Sequence, residues 1–426
     1  MRTIAKGEKK GKQISNKRAV QIADSKEWGD INAKVALIQA LIPLGLKAVA
    51  EALEEEVVAL AGERYQRVGR QPGYARWTVQ RGWVYIGGQK LPVRVPRIRD
   101  QRAKVEVPLQ TYRKLQEPQG MDEKLLRRVL VGLSCGRYEE CAEAVPGAFG
   151  LSRSSVSRRF IQASARKLKA LMERDLSTLN IVALFLDGKS LAEDAMVVAV
   201  GVTLEGEKVI LGFVQTATEN ERVLREFLQS LVGRGLRTEA GLLCVMDGAK
   251  GLRAAVRAVL GDAVEIQRCQ WHKRENVVGY LPKARQPEVR RQLQAAYRQP
   301  TYEAAKARLG QIRQALYREN PSAAASLDEG FEETLTLHRL GLARSLGQSF
   351  STTNVLESIN AQLGRLTRNV TRWHNGIQKH RWIASALLEI EPRLRKVKGY
   401  RALPQLQAAL QREGIASMKN TAQEAA

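Results

Sequence analysis

Five short apolar runs between residues 181 and 269 constrain the fold of this chain most strongly. In chain order they are IVALFLD, MVVAVGVT, EKVILGFV, LLCVMD and VEIQRC. Because they are short and rich in β-branched residues, each is predicted to be a strand. Amphipathic stretches at 219–232 and 250–260 separate the later runs. The order β-β-β-α-β-α-β predicts a mixed α/β sheet, and the turn at Leu204–Gly206 predicts that the second and third strands are adjacent and antiparallel.

Two of these strands end in the same dipeptide, Asp-Gly. Asp187 is followed by Gly188, and Asp247 is followed by Gly248. Glycine lets the backbone turn sharply, so each carboxylate is predicted to face a cleft at the end of its strand. A single Asp-Gly pair after a strand is ordinarily just a turn. Two such pairs in one sheet can bring their carboxylates together.

A third acidic residue, Glu357, lies 357 − 247 = 110 positions after Asp247 in the string TTNVLESIN. Two roles are open for it. If Asn354 is the N-cap of a helix, Glu357 completes an Asn-x-x-Glu capping box. Alternatively, the helix start projects a third carboxylate toward Asp187 and Asp247. Three converging carboxylates suit a pair of Mg²⁺ or Mn²⁺ ions about 4 Å apart that serve in-line phosphoryl displacement.

The segment between the second and third acidic residues has no strand pattern. Apolar residues recur there at helical spacing, for example Ala305, Leu309, Ile312 and Leu316, and Thr301 is a suitable cap for that helix. A helical insertion over residues 273–347 is therefore predicted.

Cys269 and His272 form a Cys-x-x-His pair directly after the fifth strand. A structural zinc site normally has four ligands, and no second pair lies nearby in sequence, so a buried pair that fixes the junction between sheet and insertion is favoured. Trp271 lies between them, and two interpretations remain open. It packs in that junction, or it is exposed and stacks on a base.

The charge of the chain favours a polyanionic partner. Lys and Arg number 69 against 44 Asp and Glu, which gives a formal net charge of +25. Residues 61–120 alone carry 13 − 4 = +9. A helix is predicted at 34–62, and alternating apolar residues around Gly87-Gly88 predict a β-hairpin at 77–97. The arginines on or after its second strand are candidates for DNA contacts, namely Arg94, Arg97 and Arg99.

Residues 140–161 have the pattern of helix, tight turn and helix. The second helix, from Arg153 to Ile161, is predicted to turn Val156 and Phe160 inward and a Ser/Arg face outward. Such a helix can enter a major groove, although an ordinary helical hairpin with a solvated basic face has the same pattern. The candidate DNA-binding residues on the outward face are Arg153, Ser155, Arg158 and Arg159.

Four scattered cysteines do not indicate a disulfide framework, and no segment offers about 20 uninterrupted apolar residues for a membrane span. A cytoplasmic, nucleoid-associated protein is therefore expected. The apolar stripe of the first helix, at Leu46, Val49, Leu53, Val57 and Leu60, must pack either within this chain or against a second subunit.

The strings LDGK, VMDGAKG, RCQWHKREN and TTNVLESIN, in this order and spacing, resemble those of bacterial Mutator-type insertion-sequence transposases. The resemblance implies an RNase H-like catalytic core with an Asp-Asp-Glu triad at Asp187, Asp247 and Glu357, and a helical insertion before the Glu. The family's Cys-x-x-His motif falls on Cys269 and His272. Cys135, in GLSCGRYEE, departs from the expected pattern without touching the triad.

The resemblance also implies function. It predicts a DNA transposase that binds the terminal inverted repeats of its element, cuts DNA and joins a 3′ end to target DNA. It also predicts a homodimer or higher multimer. Each active site is expected to use two Mg²⁺ ions, for which Mn²⁺ can substitute. A nuclease without joining activity and a domesticated repressor are the alternatives. The predicted division is a basic arm (1–30), a helix and hairpin region (31–120), a helix-turn-helix-like region (121–178), a first core part (179–272), the insertion (273–347), a last core part (348–400) and a tail (401–426).

Overall fold

The computed structural model divides the chain into two compact units. The first comprises Met1–Leu125 and Ser134–Arg159, and the second comprises Leu126–Leu133 and Phe160–Ala426. The residues that the structure describes are 29–65, 73–86, 89–117, 121–133, 152–191, 194–216, 220–261, 264–370 and 372–424.

The first unit is built from a long helix and a β-hairpin. Helix α1 (Gly29–Ala61) precedes strands β1 (Tyr74–Ile86) and β2 (Gln89–Asp100), which pair antiparallel, and the short strand β3 (Glu106–Val107) joins β2. The predicted helix and the two hairpin strands are confirmed, while Gly87-Gly88 lies outside the described residues.

The apolar stripe of α1 packs within its own chain. Val49, Leu53 and Val57 are buried in one cluster with Val84 and Val95 of the hairpin. The contact with the hairpin explains why apolar residues recur on one face of α1. The stripe therefore gives no evidence for packing against a second subunit. Helices α2 (Gln110–Gln116), α3 (Met121–Val131) and α4 (Arg153–Met172) follow.

The second unit contains a five-stranded mixed sheet with the predicted order of elements. The strands are β4 (Ile181–Leu191), β5 (Asp194–Thr203), β6 (Lys208–Thr216), β7 (Leu243–Met246) and β8 (Glu265–Arg268), with α5 (Glu221–Gly233) before β7 and α6 (Lys250–Leu260) before β8. Their spatial order is β6-β5-β4-β7-β8. The first three strands pair antiparallel, whereas β7 runs parallel to β4 and to β8.

The sheet is covered on both faces, which explains why its strands are continuous apolar runs. Leu184 and Leu186 belong to the cluster that contains α5 and α6. Phe185 and Val245 belong to the other cluster, which contains helices from the C-terminal part of the chain. Successive side chains of a strand point to opposite faces, so alternate residues of β4 enter different cores.

Helices make up the regular structure after β8. They are α7 (Gln270–Gly279), α8 (Gln286–Tyr297), α9 (Tyr302–Glu319), α10 (Pro321–Asp328), α11 (Thr336–Arg339), α12 (Ala343–Phe350), α13 (Asn354–Thr367), α14 (Gly376–Ile390) and α15 (Leu403–Glu424). Thr301 caps α9 by accepting from the Ala304 amide at 3.3 Å, as predicted. Ala305, Leu309 and Ile312 are buried in the core of the helical segment.

Within the described residues, no helix combines the length and the apolar composition that crossing a membrane requires.

Candidate active site

Asp187 lies inside β4 rather than at its end. The strand continues to Leu191 because β5 stays paired with it, with Asp187 opposite Val198 and Gly188 opposite Val197. The prediction of a sharp turn at Asp187-Gly188 is therefore wrong. Only the parallel pairing of β4 with β7 ends next to Asp187, and its last pair is Leu186 and Met246.

Asp247 follows the last residue of β7 directly, and here the predicted turn is present. Gly248 has a φ of +95°, and Oδ1 of Asp247 accepts a hydrogen bond from the Ala249 amide at 3.0 Å. The side chain of Arg268, at the end of β8, fills the space beside this turn, since a Cβ added to Gly248 would lie 1.9 Å from Arg268 Nε. The turn and Arg268 thus fix the backbone at Asp247.

The two aspartates occupy corresponding positions on neighbouring strands. Each comes one residue after the last parallel pair of β4 and β7, and adjacent strands lie about 4.8 Å apart. By the alternation along β4, Asp187 belongs to the same face as Phe185. That face is covered by Leu356 and Ile359 of α13, the helix that carries Glu357.

Glu357 lies in the first turn of α13 and is exposed. The N-cap of this helix is Thr353, no side chain makes a capping hydrogen bond, and Asn354 is already helical. The alternative role in a capping box with Asn354 is therefore wrong. The helix begins one residue earlier than that motif requires, because the amide of Glu357 bonds to the carbonyl of Thr353 at 3.1 Å.

Electrostatic interactions link the three carboxylates. Asp187 is 6% exposed, and its burial, together with the negative charge of Asp247, raises its pKa to about 7. Glu357 also raises the pKa, whereas the charge of His272 and a hydrogen bond from Thr353 lower it. A buried carboxylate that faces two further carboxylates is costly to ionise without a cation nearby.

The Cys-x-x-His pair and Thr353 form one connected cluster beside Asp187. The Thr353 amide donates to Cys269 Sγ at 3.4 Å, and Thr353 Oγ1 lies 3.4 Å from His272 Nδ1. The side chain of Cys269 accepts from His272, which raises the pKa of His272 to about 9. Burial raises the pKa of Cys269, but the hydrogen bonds with His272, the charge of His272 and the amide of Thr353 together outweigh it, so the net pKa is lowered.

This cluster fixes the junction that the sequence indicated. It joins the residue after β8, the first turn of α7 and the N-cap of α13, because the Gln270 amide also donates to the Ser351 carbonyl at 2.9 Å. Thr353 was missed as a functional candidate, although it stands in the TTNVLESIN string. Its role depends on contacts with residues more than 80 positions away, which no local pattern records.

The donor set suits a hard divalent cation, since three carboxylates supply oxygen ligands and the burial of Asp187 calls for a counter-charge. Within the described part of the chain, however, no group of three or more His, Cys, Asp or Glu side chains is arranged so that it could hold a metal ion. The carboxylates therefore influence one another through their charge without forming a closed ligand cage.

Trp271, left open by the sequence, is exposed. It lies in the first turn of α7, 41% of it is accessible, and its ring makes a T-shaped contact with His272 at 4.9 Å.

The hairpin arginines differ in their surroundings. Arg94 is exposed on β2. Arg97 donates from Nε to Glu106 at 2.7 Å, and Arg97 and Arg99 both lie over the ring of Trp77, at 4.5 and 4.9 Å from its centroid. Because Glu106 neutralises Arg97, Arg94 is the candidate best placed to meet a phosphate.

Helix α4 confirms part of the predicted outward face. Val156 and Phe160 are buried, as expected. The residues of the predicted outward face differ in exposure, since Arg153 and Arg158 are exposed, Ser155 is half-buried and Arg159 is only 9% exposed. The predicted exposure of Arg159 is wrong, because its guanidinium lies 5.5 Å from the ring centroid of Tyr85 in the hairpin. The predicted preceding helix and turn, residues 140–151, lie outside the described residues.

Comparisons with known proteins point to one class. The chain is 28% identical to the transposase for insertion sequence element IS406 of Burkholderia multivorans, over 85% of this chain and 95% of that protein. It is 28% identical to the ISRM5 transposase of Rhizobium meliloti, over 78% of this chain and 81% of that protein. It is 25% identical to the IS256 transposase of transposon Tn4001 in Staphylococcus aureus, over 78% of this chain and 84% of that protein.

A sequence profile of the Mutator family of transposases matches residues 15–392. The chain therefore belongs to the Mutator transposase family, as its motifs predicted.

Proposed function

We propose that this chain is a DNA transposase that cuts and joins DNA with the carboxylates of Asp187, Asp247 and Glu357. The observation that carries the proposal is the position of the two aspartates, side by side beyond the last parallel pair of β4 and β7. The helix of Glu357 packs on the same face of the sheet. A cluster of carboxylates from separate elements is unfavourable for stability, so a functional reason for it is needed.

The strand order supports an RNase H-like core. Three antiparallel strands are extended by two parallel ones, and the helical segment 273–347 then stands as an insertion between the sheet and α13. On this proposal the acidic residues occupy the face of the core that the insertion borders.

Asp187, Asp247 and Glu357 would hold two Mg²⁺ ions, for which Mn²⁺ would substitute. When bound, such ions activate the attacking oxygen and stabilise the departing one. The oxygen ligands and the raised pKa of Asp187 fit this role, because a divalent charge favours the ionised carboxylate.

The residues around the carboxylates have orienting roles. Thr353 hydrogen-bonds to Asp187 and contacts His272, so it restrains the Asp187 carboxylate. Arg268 and Gly248 fix the turn at Asp247. In cleavage, water forms the new P–O bond and the bond to the 3′ oxygen breaks. In joining, the oxygen of the freed 3′-hydroxyl forms the new P–O bond at a target phosphodiester, and the bond from that phosphorus to the target's own 3′ oxygen breaks.

The partners follow from charge and family. A net charge of +25 suits double-stranded DNA, both the terminal inverted repeats and the target. Arg94, Arg153 and Arg158 are exposed and available for phosphate contacts. Action on two ends would require a homodimer or a higher multimer.

The test is Asp187→Asn in the full chain, assayed on DNA that carries the inverted repeats flanking the gene. We expect Mg²⁺-dependent cleavage to be abolished while the gel shift of the same DNA remains. The matched control is Asp328→Asn, which removes an exposed carboxylate paired with Arg313 and should leave cleavage unchanged. Retained cleavage in Asp187→Asn would overturn the assignment.

A further inference from the structure

A cleft of about 960 Å³ in the second unit is lined in part by Thr352 and Asn354, the two neighbours of Thr353. It is lined by the first turn of α7, the end of α8, parts of α11 and α12, and the residues that lead into α13. Trp271 forms part of its wall, next to His272. The cleft has the size of a small-ligand site and is much too narrow for a duplex.

The charge of the cleft is entirely positive. Three arginines line it, Arg274, Arg298 and Arg344, and none of its lining residues is Asp or Glu. Arg274 is paired with Glu275 at 3.0 Å. Arg298 and Arg344 are exposed, and neither makes an ion pair within the described part of the second unit. Two unpaired guanidinium groups on one cleft suit an anionic ligand with about two phosphates.

The remaining lining suits a nucleobase. Trp271 presents an exposed indole ring, and several glutamines offer amide groups. His338 is 5% exposed, its Nε2 lies 3.1 Å from the carbonyl oxygen of Tyr297, and its Nδ1 is buried without a hydrogen-bond partner. Because a carbonyl can only accept, Nε2 donates. Burial lowers the pKa of His338, so the ring is neutral and Nδ1 remains an acceptor.

We propose that this cleft binds an unpaired nucleotide of a DNA strand, with the base stacked on Trp271 and the flanking phosphates held by Arg298 and Arg344. An indole can stack on a base only if that face is not covered by a neighbouring base, so the nucleotide must be unstacked or extrahelical. This inference rests on the proposed function and adds to it a second, separate contact with the strand.

The position of Trp271 near the carboxylates indicates what a nucleotide bound in the cleft would do. His272 contacts Trp271 and lies 3.4 Å from Thr353 Oγ1, and Thr353 hydrogen-bonds to Asp187. A nucleotide on Trp271 would therefore adjoin the phosphate at the carboxylates. Held there, it would fix the register of the strand at the point of cleavage. A free nucleotide has the same base and phosphate chemistry, so the test must separate the two sources.

The first measurement locates the contact. A 12-nucleotide single strand that carries one 5-iodouracil is irradiated with the full chain, and crosslinked peptides are identified by mass spectrometry. We expect the crosslink at Trp271 from the single strand and from a duplex in which the modified base is unpaired. A fully paired duplex should give at most a tenth of that yield. Crosslinks that avoid Trp271, or an equal yield from the paired duplex, would overturn the proposal.

The second measurement is affinity for the single strand and for a blunt duplex of equal length. We expect Trp271→Ala to weaken single-strand binding about ten- to hundredfold and Trp271→Phe to restore most of it. Duplex affinity should change less than twofold. Arg298→Ala with Arg344→Ala should reduce the salt slope for the single strand by about 1.4, as expected for two lost phosphate contacts.

Matched controls come from α9, away from the cleft. Tyr317→Ala removes a side chain that is 69% exposed, and Arg308→Ala with Arg318→Ala removes two exposed charges. These variants should bind the single strand like the wild type. Equal losses in controls and cleft variants, or free dTMP that competes as well as the single strand, would contradict the proposal.

The inference fails separately from the proposed function. Asp187→Asn should retain the Trp271 crosslink, because it removes no cleft contact. Cleavage in the wild type without that crosslink would overturn the cleft assignment alone.

Discussion

Gly248, in the turn after Asp247, offers a sharp test of how the site is built. Its φ of +95° is unfavourable for any residue with a Cβ, and that Cβ would lie 1.9 Å from Arg268 Nε. Arg268 is 4% exposed and donates from Nη1 to the Glu329 carbonyl at 3.0 Å. It cannot move aside toward Gly330, because its Nη1 already packs against that glycine. A Cβ built on Gly330 would lie only 2.4 Å from Nη1. Gly248→Ala must therefore displace a confined, buried guanidinium group.

Two costs add up. The positive φ costs about 1 to 2 kcal/mol for an alanine. Loss of the charge-assisted hydrogen bonds of Arg268 costs roughly 1.5 to 3 kcal/mol more. Gly248→Ala should thus destabilise the sheet by about 2.5 to 5 kcal/mol. Gly341→Ala is the matched control, because Gly341 has a φ of +72° with nothing within 4 Å of the added Cβ. It should lose only the first part.

The assay is hydrogen exchange in increasing urea, read by mass spectrometry on peptides from β4, β7 and β8. Local opening free energies are needed because a chain with two units does not guarantee two-state unfolding. We expect Gly248→Ala to lower the opening free energy of these strands by at least about 1.5 kcal/mol more than Gly341→Ala. Equal losses would refute the argument that Arg268 fixes the turn at Asp247.

Two further predictions concern pH and packing. The pKa of Asp187 is raised from 3.8 to about 7, so its contribution to stability is complete below pH 3.8 and is lost as pH rises through 7. Between pH 3.8 and 7 in EDTA, the melting temperature should therefore fall more in the wild type than in Asp187→Asn. At pH 8, adding Mg²⁺ should raise the melting temperature of the wild type but not that of Asp187→Asn. An equal pH or Mg²⁺ response in the two proteins would contradict this. Leu53→Ala, at a residue that is 1% exposed, should lower the stability of the α1 and hairpin core by about 2 to 5 kcal/mol, whereas hydrogen exchange of the five-stranded sheet should be unchanged.

The sequence was informative where local pattern decides structure. The five apolar runs became the five strands, because continuous burial on both faces leaves that signature. The α1 stripe and the Thr301 cap likewise depend on residues close in sequence. The motif strings predicted the family that the profile then matched.

Tertiary contacts account for the errors. Asp187 does not end its strand, because β5 extends the ladder beyond it, and register with a partner strand is not visible in a single run. Arg159 looked solvent-exposed by helical phase but lies near Tyr85, which is 159 − 85 = 74 positions away. Arg298, directly after α8, and Arg344, in α12, line one cleft although they are far apart in sequence, so no motif connects them.

The central claim is that Asp187, Asp247 and Glu357 act together in DNA joining. The most direct test measures the joining of a precleaved, labelled end of the element to plasmid DNA in Mg²⁺ by the wild type and by Asp187→Asn, Asp247→Asn and Glu357→Gln. We expect joined product from the wild type and a loss of at least about 100-fold in each variant, with end DNA still bound. Joining within tenfold of wild type in any variant, or wild-type cleavage without joining, would contradict it.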